Sequence, residues 1–233
     1  MKRQLHELRA IHDRTKPKRK CAMNRFQWCL ALTVSALSWQ SQAASYCGSL
    51  NNAYGPFDYR TAASENPQAK QLVESAHFTP EVENLIKGNS SYIGGDLDYT
   101  LRAFPNHHRA LASIAKLALR TKGTTAQGLK YSFTCYFERA MRFTPNDDGV
   151  YLVYGAYLFK RGDVAGAKVQ FIQALALNAD NVPANYNLGL IYLHEGNYEK
   201  AREHARKAYA ADYPLQGLKN GLVEAGKWDA RSQ

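Results

Sequence analysis

The polar residues best suited to chemistry gather between positions 77 and 108: His77, Asp96, Asp98, His107 and His108. Imidazoles and carboxylates together can ligate zinc or iron. The spacing follows no metal motif. Adjacent residues on a helix diverge by about 100°, so His107 and His108 do not readily converge on one ion. The simpler reading makes them the first turn of a helix, one exposed and one hydrogen-bonded. A small metal-binding protein or metal-dependent enzyme using all five residues is the alternative. His204 belongs to a solvated charged face with Arg202, Glu203, Arg206 and Lys207. No Gly-rich phosphate loop, nucleophile elbow, Cys-x-x-Cys or His-Glu-x-x-His occurs in the chain. The residues therefore point to no enzyme and no cofactor.

Charge adds to this. The 233 residues carry a formal +10, but residues 1–43 hold nine Lys or Arg against two acids and the remainder 21 against 18, so +7 of it sits in the first 43. A nearly balanced body offers no basic stripe with interleaved aromatics, and nucleic acid is not an expected partner. Phe26–Trp39 is an uncharged, mostly apolar run of 14 residues between a basic stretch and Ser41-Gln42-Ala43-Ala44. That order predicts a signal peptide, residues 1–43, cut after Ala43, with Met23 as a possible true start. The run is short of the ~20 residues that span a bilayer. The expected location is periplasmic or secreted. The alternative is an uncleaved anchor, through which alone the protein would touch a membrane.

Cleavage would remove Cys21 and Cys29 and leave Cys47 and Cys135. An even pair in an oxidising compartment allows one disulfide, against the alternative of two unpaired thiols.

The elements that must position these residues declare themselves through self-similarity. From Pro105 onward apolar residues recur at spacings of three and four, the pattern of helices. Residues 148–181 and 182–215 match at one offset of 34: Gly155 with Gly189, Gly162 with Gly196, Ala167 with Ala201, Ala174 with Ala208, Ala176 with Ala210. Gly155 and Gly189 lie inside a first helix, where a missing side chain lets helices approach. Gly162 and Gly196 lie in the turn, where positive φ is cheap only for glycine. Ala167 and Ala201 mark a helix crossing, and Phe171, Ala174, Tyr192 and Ala208 fill the space between neighbouring helices. A period of 34 with paired helices resembles the tetratricopeptide repeat family. The resemblance implies an all-α superhelix over 105–231, with an aromatic-rich, irregular region packed on it at 44–104.

The flanks are degenerate. Residues 105–147 read as a longer repeat, with helices from Pro105 to about Arg120 and Leu129–Phe143 around a loop at Thr121–Gly128. Residues 216–231 read as a capping helix. Gly226-Lys227-Trp228-Asp229 echoes Gly196-Asn197-Tyr198-Glu199. Within 44–104, short helices are expected at Gln68–Ala76, Pro80–Lys87 and Asp96–Phe104, with Thr79 as a cap for the second.

The resemblance also places a binding surface. The inner face comes from the first helix of each pair, here Leu152, Ala156, Phe159 and Lys160, then Tyr186, Leu190, Leu193 and His194. Relatives that grip a C-terminal carboxylate use Lys and Asn at the positions of Leu152, Ala156, Tyr186 and Leu190. An apolar groove is implied instead. Its occupant is a peptide or protein segment, or residues 44–104 folded back. The function implied is an extracytoplasmic protein–protein interaction module, possible roles being envelope assembly or secretion.

Overall fold

The computed structural model describes residues 47–228. The expected signal peptide at 1–43, with its expected cut after Ala43, and residues 229–233 lie outside them. The expected all-α fold is borne out: eleven helices and no strand occur among the described residues. No helix among them is long and apolar enough to cross a membrane.

Four helices lie in the N-terminal region: α1 (Ala62–Glu65), α2 (Pro67–His77), α3 (Pro80–Glu83) and α4 (Ile93–Ala103). Then come α5 (His108–Arg120), α6 (Phe133–Phe143), α7 (Asp148–Lys160), α8 (Val164–Leu177), α9 (Val182–His194), α10 (Tyr198–Ala210) and α11 (Gly217–Glu224). The hairpins α7–α8 and α9–α10 pack most extensively within themselves. The first helices of successive pairs, α5, α7 and α9, stand in sequence, and α11 packs on both α9 and α10.

One turn recurs at three second-helix ends. Phe104, Thr144 and Asn178 leave the helix with φ of −130°, −130° and −146°. Three residues on, His107, Asp147 and Asn181 begin the next helix with ψ of 95°, 98° and 96°. In each turn the second residue's amide donates to the first's carbonyl, at 3.1, 3.1 and 3.0 Å. Within a hairpin the tighter turn is glycine's. Gly162, Gly196 and Gly226 have φ of 85°, 73° and 65°, so the echo at Gly226 is a real third copy of that turn.

The helix-interior glycines are close-packing sites. A Cβ on Gly155 would lie 2.7 Å from Phe171 Cε1, and one on Gly189 would lie 2.4 Å from Leu218 Cδ2. Phe171 and Leu218 are both fully enclosed, as are Ala167, Ala174, Ala201 and Ala208. The core is thus built at the inward positions of the repeat.

Some boundaries differ from the sequence reading. The second helix of residues 105–147 starts at Phe133, not Leu129: Gly128 takes φ of 87°, and Phe133 N–H is held by Thr124 O at 2.8 Å. The helix before it starts at His108, because Pro105 and Asn106 belong to the recurring turn. Helix α4 begins at Ile93, three residues early, and α1 was not foreseen. Thr79 sits at the expected cap position, but its hydroxyl makes no cap bond.

The N-terminal region has its own small core of Ala62, Ala69, Val73, Ala103 and Phe104, ringed by Tyr54, Phe57, Tyr59 and Tyr99. Phe57 N–H donates to Ala103 O at 2.8 Å, pinning the coil to the end of α4.

Candidate functional site

The polar cluster comes apart into four separate sets of contacts. Asp96 is fully buried. One oxygen faces His77 Nδ1 at 2.9 Å, and the other accepts the amides of Asn89, Ser90 and Ser91 at 2.7, 3.2 and 3.3 Å. Asp98 instead accepts from Tyr136 hydroxyl at 2.5 Å, Lys130 N–H at 3.3 Å and Arg102 Nε at 2.8 Å. Both carboxylates are saturated by the chain itself.

His107 is wholly enclosed and both its nitrogens are used. Nδ1 accepts Ala110 N–H at 3.2 Å, capping α5, so the proton belongs on Nε2, which donates to Glu74 Oε1 at 3.2 Å. Tyr59 stacks on the imidazole at 3.8 Å and donates its hydroxyl to the same Glu74 oxygen at 2.8 Å. Burial drives the imidazole below its ordinary pKa, outweighing Glu74. Glu74 is held down to about 2, chiefly by His107 and then by Lys70 and Tyr59. His108 turns elsewhere, to Asp147 Oδ1 at 2.8 Å, while Asn106 donates to Oδ2 of the same aspartate at 2.9 Å. The five residues do not share one centre. The metal reading of His77, Asp96, Asp98, His107 and His108 is therefore corrected: both carboxylates, both nitrogens of His107 and one nitrogen each of His77 and His108 are engaged in capping and in holding loops, in places that do not converge. In the recurring turn His107 has the place that Asp147 and Asn181 have in the next two, and all three accept a backbone amide of the helix they start.

The concave side retains open space. A cavity of about 260 Å³ lies between α5, α7 and α9. Leu152, Ala156 and Lys160 line it, as placed from the repeat positions. Phe159 is half-buried and packed on the core. Tyr186 is buried, its ring 4.8 Å from Tyr213 and its hydroxyl facing Gly217. Leu193 lies against Gly221 of α11 and Leu190 is half-buried, while His194 is exposed at the helix end. Helix α11 thus occupies much of the second repeat's inner face. In exchange α5 contributes Ala112, Lys116 and Leu119, which the sequence reading omitted. An offset of 40 from Ala156 and Phe159 would have found Lys116 and Leu119. No residue of 47–104 lines this cavity. Larger hollows, of about 490 and 580 Å³, lie at the C-terminal end against α10 and are not continuous with these residues.

Cys47 and Cys135 are joined, with Cα atoms 5.2 Å apart and a sequence separation of 88. Both are buried, and the bond fixes the start of the described chain to α6.

Residues 155–214 match the family model of the tetratricopeptide repeat. That stretch is a tetratricopeptide-repeat segment. It runs from the first close-packing glycine, through α8, α9 and α10, to Pro214 before α11. The paired helices around it are an α-α superhelix of tetratricopeptide type. No curated protein matches the chain. Tetratricopeptide repeats commonly serve as surfaces for other proteins; here α5, α7 and α9 line an open cavity.

Proposed function

We propose that this protein is a non-catalytic docking module that holds a peptide or protein segment in the concave groove of its tetratricopeptide array. The observation that carries the reading is the open cavity at Leu119, Leu152 and Ala156. It is apolar at its floor and has Lys116 and Lys160 at its edge. An apolar hollow of this kind gains by covering. The lysines favour a segment that brings acidic side chains beside its apolar ones.

The site of action in this reading is outside the cytoplasm, in the periplasm or secreted, with the leader removed after Ala43. The sequence order of basic stretch, apolar run and small residues supports it. A role in envelope assembly or secretion would suit that location. N-terminal sequencing of protein from the producing cell tests it: a chain beginning at Ala44 agrees, and a retained leader overturns it.

The groove is tested by site-specific photo-crosslinking. A crosslinker at Leu152 should capture one defined partner, and one at the outward-facing Gln173 should not. Ala156→Glu, placed on the cavity wall, should abolish the capture with helical content unchanged. Equal capture from both positions would overturn the assignment.

A further inference from the structure

Helix α6 presents Cys135 and Glu138 three residues apart, hence on one face. The coil at Cys47 crosses that face. Glu138 Oε2 lies 2.8 Å from Cys47 Sγ, and the two sulfurs and the carboxylate oxygen all lie within 4.8 Å of one another. A disulfide sulfur carries no hydrogen, so this carboxylate has no proton to accept from it. Arg142 Nε lies 3.4 Å from the other oxygen, Oε1, which leaves Oε2 turned to the sulfurs.

The coil does not depend on the disulfide alone. Arg139, 1% exposed, donates from Nη1 to Cys47 O at 3.0 Å and Ser49 O at 2.6 Å, with its guanidinium 4.4 Å from the Tyr131 ring. Arg142 Nη2 donates to Gly48 O at 2.8 Å. None of these bonds involves a sulfur, so opening the S–S bond breaks none of them. The two arginines also settle the charge. Two thiolates and a carboxylate around a divalent ion leave one negative charge, and both guanidiniums stand beside it.

We propose that Cys47, Cys135 and Glu138 form a redox-gated metal site: once the disulfide is reduced, two thiolates and one carboxylate hold a zinc-class divalent ion, with water as the fourth ligand. The gating step takes a dithiol reductant. It leaves as its own disulfide, its two electrons cleave Cys47–Cys135, and its two protons give two thiols. The metal then displaces those two protons to solvent without changing its own oxidation state. Disulfide and metal exclude one another at the same sulfurs.

The test uses the full chain carrying Cys21→Ser and Cys29→Ser, so that only these two thiols remain. After anaerobic reduction with a phosphine, the protein is titrated with Co²⁺ and then Zn²⁺. The expected result is one equivalent of Co²⁺ with a thiolate-to-cobalt charge-transfer band, displaced by Zn²⁺ and absent from oxidised protein. Cys47→Ser, on the coil, and Cys135→Ser, on the helix, should each remove the band. Glu138→Gln should weaken binding at least about tenfold. Circular dichroism of each variant checks the fold, and Cys47→Ser decides the matter if Cys135→Ser unfolds. No band, a band that persists without Cys47, or unchanged affinity in Glu138→Gln would each overturn the three-ligand site.

Discussion

Helices α8 and α10 hold the same station in successive repeats, and inwardly they agree. Ala167 and Ala201, Phe171 and Ala205, Ala174 and Ala208 are all fully enclosed. Outwardly they share nothing. Helix α8 shows Ala165, Val169, Ile172 and Gln173 to solvent, with Val169 61% and Ile172 47% exposed. Its one charged residue, Lys168, is drawn across to Glu195 at 2.7 Å and to the Tyr192 ring. Helix α10 shows Glu199, Glu203, Arg206 and Lys207 at its surface. The repeat therefore constrains only what faces the neighbouring helices. Even inside, one glycine is matched by two solutions: Gly155 is covered by Phe171 of its own hairpin, Gly189 by Leu218 of the following helix.

The sharpest way to break this comparison is to remove the two covering side chains. Phe171→Ala should cost about 3–5 kcal/mol and Leu218→Ala about 2–5 kcal/mol in equilibrium denaturation. Hydrogen exchange should separate them. Loss at 171 should loosen α7 and α8, and loss at 218 should loosen α11 first. Identical exchange patterns would mean that the glycines are not covered independently.

A smaller effect comes from filling the glycines. Gly155→Ala meets a buried aromatic ring, and overpacking of about 1–3 kcal/mol should exceed the gain of about 1 kcal/mol in helix propensity. Gly189→Ala meets the end methyl of Leu218, which can turn aside, so its net effect should be near zero. Thermal unfolding of the pair decides, and a costlier Gly189→Ala would reverse the comparison.

The recurring turn extends the comparison to a third unit and makes it depend on pH. Burial lowers the His107 pKa in the folded protein, against an ordinary 6.5. As pH falls through that value the unfolded chain takes the proton first. It binds more protons than the folded chain, and stability is lost on acidification. Glu74, whose bond to His107 opposes that shift, and Arg109 are the charged groups nearest it. His107→Asn, keeping a cap acceptor like Asn181, should flatten stability between about pH 7 and 5. An unchanged slope would show that His107 does not titrate in that range. Glu74 acts lower, between 4.5 and about 2, in the same direction.

The smallest effect belongs to the outer faces. Val169→Lys or Ile172→Lys should alter stability by no more than about 0.5 kcal/mol, like Arg206→Ala on α10. A loss above about 1 kcal/mol from either would show the α8 surface to be part of the core.

What the sequence made legible follows this inward–outward division. Gly155, Ala167, Gly189 and Ala201 recur because two helices must approach there, and they revealed the fold. The recurring turn was harder to see: His107, Asp147 and Asn181 share a geometry and not a residue type, since any acceptor side chain caps a helix. The groove was half legible. Leu152, Ala156 and Lys160 were readable from repeat positions. Tyr186 and Leu193 were not, because α11 covers them. Lys116 and Leu119 were hidden by the long loop after α5, which breaks the 34-residue period. The fate of His77, Asp96 and Asp98 depended on partners such as Tyr136, 38 residues from Asp98, that no local pattern links.

The bond between Cys47 and Cys135 also sets the mechanics of the molecule. A pull applied upstream of Cys47 enters α6 directly and bypasses α1 to α5. The bypassed residues, some 87 at about 3.5 Å each, would otherwise yield roughly 300 Å of extended chain. In the oxidised protein that length is locked away. A tether at the amino end would load the hairpins from α6 onward, while the aromatic N-terminal core and the His107 network stay slack.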